Sequence, residues 1–228
     1  MTKGRMFPFI TVPNFNPLGG ECKHYCKYCW AQGPKGLVSK YDMKKYCGEP
    51  YLVEKELNRK FKPDDFVFVC DMCDLFGWWV PHEFIERVLD FIRNSPATFL
   101  LLTKNPRRYK EFNIPENCVC GATVESDEVY EGTKAPFPCD RLYELATLKH
   151  PRKMISIEPI MWFNLDLFVE AILSIMPAFV AVGYDNYNND LLEPSLTKTK
   201  NLIEVLEAKG IKVYRKTLRE AKVCGWKK

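Results

Sequence analysis

The chain has 228 residues, an apolar fraction of 46% and a net charge of +4. These values exclude a disordered polyelectrolyte, and they permit a nucleic-acid partner without announcing one. No apolar run reaches the roughly 20 residues of a membrane-spanning helix, and ten cysteines without a secretory signal predict reduced thiols and metal chemistry in the cytoplasm rather than a disulfide framework.

Apolar runs alternate with helical patterns along the whole chain, which predicts an α/β fold of parallel strands with helices outside. No linker or repeat interrupts the rhythm, so residues 1–228 are read as one domain. A first strand is predicted over Phe7–Val12. Its carboxyl end releases the turn Asn16-Pro17-Leu18-Gly19-Gly20 and then Cys22-Lys-His-Tyr-Cys26-Lys-Tyr-Cys29, at the strand end where α/β barrels place their chemistry.

Three thiols within eight residues can face one inorganic body. A [4Fe–4S] cluster is held by Cys thiolates, and three of them leave one iron open. The competing reading is a structural zinc site of Cys3His type with His24 as the fourth ligand.

Further on, helix formers with Leu52, Val53 and Leu57 predict a helix over Glu49–Phe61, and Phe66–Cys70 predicts a second strand, ending in Asp71-Met-Cys73-Asp74. Pro81 is suited to the first position of a helix that carries Phe84, Ile85, Val88, Leu89 and Ile92. The nearly all-apolar Thr98–Thr103 reads as a strand buried on both faces, followed by Lys104-Asn-Pro106. Next come a fourth strand over Cys118–Val124, closed by Glu125 and Ser126, and a long loop with Pro136 and Pro138. A helix near Asp140–Lys149 and a fifth strand over Lys153–Ile157 follow, the latter closed by Glu158-Pro159. A helix capped by Asp166, a sixth strand over Ala178–Gly183, a helix over Ser195–Lys209 stopped at Gly210, and a short seventh strand over Ile211–Tyr214 complete the chain. Six or seven βα units without an eighth predict an open, partial (β/α)6 barrel of TIM type.

Every strand end carries polar residues, so all of them should meet at one mouth. Lys104 and Glu125 stand at two of those ends, and a carboxylate such as Glu125 can accept from two hydroxyls at once. Ser126 shares that position with a helix-capping role. Glu158 is held extended by Pro159, and Asp71 follows the second strand. Cys70, Cys73, Cys118 and Cys120 are expected to be core packing, with a second metal or a thiol hydrogen donor as the sharper alternative. Trp78, Trp79, Tyr184 and Tyr187 could stack extruded bases or pack as a lid, and Trp30 could cover the cysteine loop. His24, His82 and His150 do not cluster.

The C-x3-C-x2-C spacing, with Tyr28 before the last cysteine, resembles the radical S-adenosylmethionine (SAM) enzymes. Asn16-Pro17, Tyr28-Cys29-Trp30-Ala31, Asp71-Met-Cys-Asp-Leu-Phe76, Leu102-Thr-Lys104, Gly121-Ala-Thr-Val-Glu125 and Ser156-Ile-Glu-Pro159 are together similar to a phage-associated, radical-SAM-like family of unknown function. A more distant similarity is to spore photoproduct lyase. The resemblance implies a [4Fe–4S] cluster on Cys22, Cys26 and Cys29, with SAM chelated to the open iron and cleaved reductively to a 5′-deoxyadenosyl radical. Asp71, Lys104, Glu125, Ser126 and Glu158 would contact SAM, and a flavodoxin- or ferredoxin-type protein would donate the electron. The implied substrate is a nucleic acid, modified or repaired at a base, with a small molecule or peptide as the alternative. Cys70-Asp-Met-Cys73 departs from the Gly-Gly-Glu segment usual in those enzymes, which leaves room for a reading from another class, a non-catalytic zinc or iron–sulfur interaction module.

Overall fold

The computed structural model describes residues 7–33 and 36–222. In chain order the first half contains β1 (Val12–Phe15), β2 (Leu18–Gly19), α1 (Leu37–Lys40), β3 (Tyr51–Leu52), β4 (Phe66–Val69) and α2 (His82–Arg93). The second half contains β5 (Thr98–Thr103), β6 (Cys118–Thr123), α3 (Pro138–Ala146), β7 (Lys153–Ile157), α4 (Leu165–Ile175), β8 (Phe179–Val182), α5 (Leu196–Ala208) and β9 (Lys212–Arg215).

Seven strands form one sheet in the order β1-β4-β5-β6-β7-β8-β9, and every neighbouring pair is parallel. Helices flank the sheet, which curls into a half barrel. The fold is therefore the expected partial barrel, with seven strands where six was the expected minimum. Between β5 and β6 the crossover is a 3-10 helix, Pro106–Glu111, with Pro106 at its first position.

Alternation along the strands assigns the two faces. Val67, Leu101, Cys120, Ile155 and Val180 join the core formed with the helices, where α2 contributes Ile85, Val88, Leu89 and Ile92, all fully buried. Burial of each such aliphatic side chain is worth about 1.5–3 kcal/mol, so this layer anchors the barrel. Phe68, Leu100, Val119, Met154 and Ala181 line the concave face.

Two expected elements differ. The run Phe7–Val12 is not the first strand, which begins only at Val12. Phe7 and Ile10 are instead buried against the concave face, and Phe9 stacks among Phe66, Phe179 and Tyr214. Those apolar residues plug the half barrel, which satisfies their burial without a ladder. The segment Glu49–Phe61 is not an α-helix: β3 pairs antiparallel with β2, Leu18 opposite Leu52 and Gly19 opposite Tyr51, and only Glu56–Asn58 makes a 3-10 turn. Smaller shifts occur at two caps. Pro81 stands just before α2 rather than inside it, and Asn164, not Asp166, caps α4 by accepting from the N–H groups of Asp166 and Leu167.

The β2–β3 pair sets the entry to the cysteine loop. Gly20 has a φ of +98°, and a Cβ there would lie 2.7 Å from the Glu49 carbonyl oxygen and from Pro50 Cα. Backbone cannot yield as a side chain can. Gly20→Ala is expected to cost about 1–3 kcal/mol from left-handed strain alone, with the backbone clash on top. Gly210→Ala, at φ +80° with open space around it, should cost only the strain of about 1–2 kcal/mol. Urea unfolding of the two variants side by side measures the difference.

Candidate functional site

The mouth is built at the carboxyl ends of the parallel strands, where Asp71 and Asp74 follow β4, Lys104 follows β5, Glu125 follows β6, Glu158 follows β7 and Lys216 follows β9. Strand register alone brings these residues together. The cysteine loop lies over the same end and is fastened there by a buried contact: His24 Nε2 pairs with Asp74 Oδ2 at 2.8 Å. That carboxylate also accepts from Thr103 Oγ1 and the Lys104 N–H, each at 2.9 Å. Burial works against the Asp74 charge, yet His24, the Lys104 N–H and Thr103 hold its carboxyl below the usual range. The other ring nitrogen, His24 Nδ1, is buried without a hydrogen-bond partner among the described residues, and the ring stands edge-on to Trp79.

The long loop between β6 and α3 closes the other side of the cysteine loop. Lys27 N–H donates to Gly132 O and Lys134 N–H to His24 O, both at 2.7 Å. Thr133 Oγ1 lies 3.3 Å from Cys26 Sγ. Gln32 N–H donates to Cys29 Sγ at 3.2 Å, while its side-chain carbonyl accepts from Cys22 N–H at 2.7 Å. The backbone of His24 hydrogen-bonds to Cys22. Each of the three sulfurs thus has a hydrogen-bond partner within the two loops, the kind of contact that steadies thiolates and tunes iron–sulfur centres.

Burial pushes the Cys22 and Cys26 thiols up, Cys29 adds to the effect on both, and Lys104 opposes it at Cys26. Among the described residues, no three His, Cys, Asp or Glu side chains close on a single-ion site. The sulfurs nonetheless sense one another's charge. Soft thiolates are ligands for iron–sulfur clusters and for zinc alike.

Beside the sulfurs lies a charged network centred on Glu125, which is fully buried. Lys104 Nζ and the Tyr28 hydroxyl both donate to Glu125 Oε1, Lys104 also donates to the Tyr28 oxygen at 2.8 Å, and Arg141 from α3 stands 2.8 Å from Oε2. Burial alone would raise the Glu125 pKa, but Arg141, Lys104 and Tyr28 together hold it down at about 2. Burial favours the neutral form of Arg141, and Glu125 overrides it, so the guanidinium stays charged.

The remaining candidates have defined surroundings. Asp71 accepts from Asn16 Nδ2 at 2.5 Å, and burial raises its carboxyl against the opposing Asn16 and Lys45. Glu158 pairs with Lys216 Nζ at 2.7 Å and passes close over Gly183, where a Cβ would meet its Oε1 at 2.8 Å. Burial raises the Glu158 carboxyl against the pull of Lys216. Ser126 uses its hydroxyl locally, donating to Trp162 O at 2.5 Å and accepting from Glu128 N–H at 2.9 Å.

Lys104 and Glu125, read from sequence as holding separate parts of one ligand, hold each other. Lys104 has three donor hydrogens, and two are committed. Arg141 and Thr133 were missed by sequence reasoning, whereas Lys216 stands at the end of the seventh strand, where polar residues were expected. Arg141 had one available signal, a charge beside Leu142 and Leu145 on the buried face of α3. Cys118 and Cys120 lie in the core between sheet and helices, on β6, two strands across from the end of β4 that carries Cys70 and Cys73. Trp30 packs with Ala31, Tyr46 and Met72 beside Cys29.

Among the described residues no helix is long and apolar enough to cross a membrane. Comparison with curated proteins gives no match. The family model of DUF5131, described as a protein of unknown function, matches residues 11–177. That span runs from the edge of β1 past α4 and contains the cysteine loop, Asp71, Asp74, Lys104, Glu125, Arg141 and Glu158. The chain belongs to the DUF5131 family of proteins of unknown function.

Proposed function

We propose that the protein is a radical SAM enzyme in which Cys22, Cys26 and Cys29 hold a [4Fe–4S] cluster. The observation that carries this reading is the docking of the three-cysteine loop, through His24 and Asp74, onto the strand ends that present Asp71, Lys104 and Glu125. When bound, the cluster supplies the electron that cleaves SAM to a 5′-deoxyadenosyl radical.

The residues of the chain bind and orient. The uncommitted donor of Lys104 Nζ receives the SAM carboxylate, and Asp71, with one oxygen held by Asn16, offers the other to the amino group. Glu125 fixes Lys104 and Tyr28 in place and would accept from the ribose hydroxyls. Ser126 shapes the turn behind Glu125, and Glu158 with Lys216 faces the substrate side. Tyr28, Leu191 and Tyr130 pack around Cys26 and Cys29, and Trp30, Tyr46 and Met72 pack on the other side of Cys29, which limits water at those two sulfurs.

A flavodoxin- or ferredoxin-type donor in the cytoplasm completes the reading. For the substrate we favour a nucleic acid, supported by the exposed Tyr25 with Lys134 over its ring at 4.8 Å and the exposed Trp162 with Lys198 at 4.3 Å. Such aromatic and cationic pairs suit stacked bases and phosphates. Protein loaded with iron and sulfide, reduced and given SAM is expected to release 5′-deoxyadenosine and methionine. Full cluster occupancy without either product rejects the enzyme reading. No binding of single-stranded DNA or RNA at low salt moves the substrate class to a small molecule or peptide.

One observation favours a second reading. Lys104, Glu125, Tyr28 and Arg141 satisfy much of one another's bonding capacity, as they would in a structural module that uses its metal for docking. That module would hold zinc or an iron–sulfur cluster and ignore SAM.

A further inference from the structure

Cys70-Asp-Met-Cys73 stands at the end of β4, outside the cysteine loop. Cys70 has a left-handed φ of 58°, a conformation that costs a non-glycine residue about 1–3 kcal/mol unless its surroundings impose it. Here they do, because its N–H donates to Phe15 O at 2.8 Å and its side chain is buried in the main core. The turn that follows folds the chain back on itself. Cys70 and Cys73 flank the turn at Asp71-Met72, and Cys73 Sγ reaches Leu18 O at 3.6 Å. Cys73 is partly exposed whereas Cys70 is buried, so Cys73 is the outer residue of the pair. Cys118 and Cys120 differ, since they project to one face of β6 and both are buried.

We propose that Cys70 and Cys73 form a redox-active dithiol that a small-molecule disulfide, such as oxidised glutathione, converts to an intramolecular disulfide. In the first step the Cys73 sulfur attacks the reagent's S–S bond, a mixed disulfide forms, and one reagent thiol leaves with the proton from Cys73. In the second, the Cys70 sulfur attacks Cys73 in that mixed disulfide, the Cys70–Cys73 bond forms, and the second reagent thiol leaves with the proton from Cys70. Two protein thiols are oxidised and one disulfide is reduced to two thiols. The four-residue ring so closed contains Asp71, the carboxylate that Asn16 holds at the mouth. The inference stands apart from the cluster reading, because none of its steps uses Cys22, Cys26 or Cys29.

The test is equilibration of the full-length protein with graded ratios of reduced to oxidised glutathione, blocking with N-ethylmaleimide, and mass spectrometry of the tryptic segment Phe61–Arg87. Cys70 and Cys73 are the only cysteines in that segment. The expected result is a segment lighter by two hydrogens, unlabelled by maleimide and restored to two labels by dithiothreitol. Cys70→Ser is expected to stop at a glutathione adduct on Cys73, since the second thiol is gone. A wild-type segment carrying two maleimides at the most oxidising ratio overturns the proposal. So does a crosslink of Cys73 to Cys22, or a glutathione adduct that persists with Cys70 intact.

Discussion

Glu125→Gln is expected to destabilise the protein by about 3–5 kcal/mol at neutral pH, because it removes the anion from a buried pair and leaves two cations without it. Lys104 and Arg141 both face this carboxylate from inside the fold, and Tyr28 donates to it as well. An amide of the same shape can accept, but it cannot balance the charge. Burial opposes the ionised form, and the cations overcome it to hold the Glu125 pKa at about 2 against an ordinary 4.5.

A folded-state pKa below the unfolded value gives stability that is complete above the unfolded pKa and is lost as pH falls through the folded one. Glu125 therefore contributes about 3 kcal/mol above pH 4.5, lost progressively between 4.5 and 2. Asp74, whose carboxyl is also held low, adds acid sensitivity in the same direction. Urea unfolding between pH 7 and pH 2 should show a steep acid limb in the wild type and a shallower one in Glu125→Gln, with the Asp74 share retained. Parallel limbs at unchanged stability would show that Glu125 is not the anchor of the network.

Cys26→Ala is expected to abolish iron loading while leaving the metal-free fold nearly intact. Cys26 is buried against Tyr28 and Leu191 and touches Thr133, so loss of one sulfur should cost the apoprotein only about 1 kcal/mol. Loading needs all three thiolates, and its loss should be complete. Cys47→Ala is the matched control, since Cys47 is exposed and its thiol reaches Met43 O at 3.8 Å. Iron and sulfide content after anaerobic reconstitution, beside thermal unfolding of the metal-free forms, separates loss of a ligand from loss of the fold. Full loading of Cys26→Ala would remove this residue from the ligand set.

The strands most legible in the sequence are those buried on both faces. Thr98–Thr103 and Lys153–Ile157 coincide with β5 and β7 residue for residue, because burial on both sides leaves a near-continuous apolar run bounded by polar ends. The same criterion misplaces the first strand: Phe7, Phe9 and Ile10 are apolar because they plug the barrel, not because they lie in the sheet. Helical spacing over Glu49–Phe61 is overruled by the pairing of Leu52 with Leu18, a contact across more than thirty residues that local periodicity does not report. At the site, Lys104, Glu125, Glu158 and Asp71 were legible because parallel strands must deliver their carboxyl ends to one rim. That Lys104 and Glu125 pair with each other, and that Arg141 and Thr133 complete their surroundings, depends on distances between elements. No motif encodes those distances.

The most direct test of the proposed chemistry is electron paramagnetic resonance of the iron-loaded, reduced protein with and without SAM. A [4Fe–4S] signal that shifts when SAM is added is the predicted result, since SAM would bind an iron that three cysteines leave open. Bound zinc in place of iron, or a cluster signal identical in the two samples, would contradict it and leave the docking module as the function of this mouth.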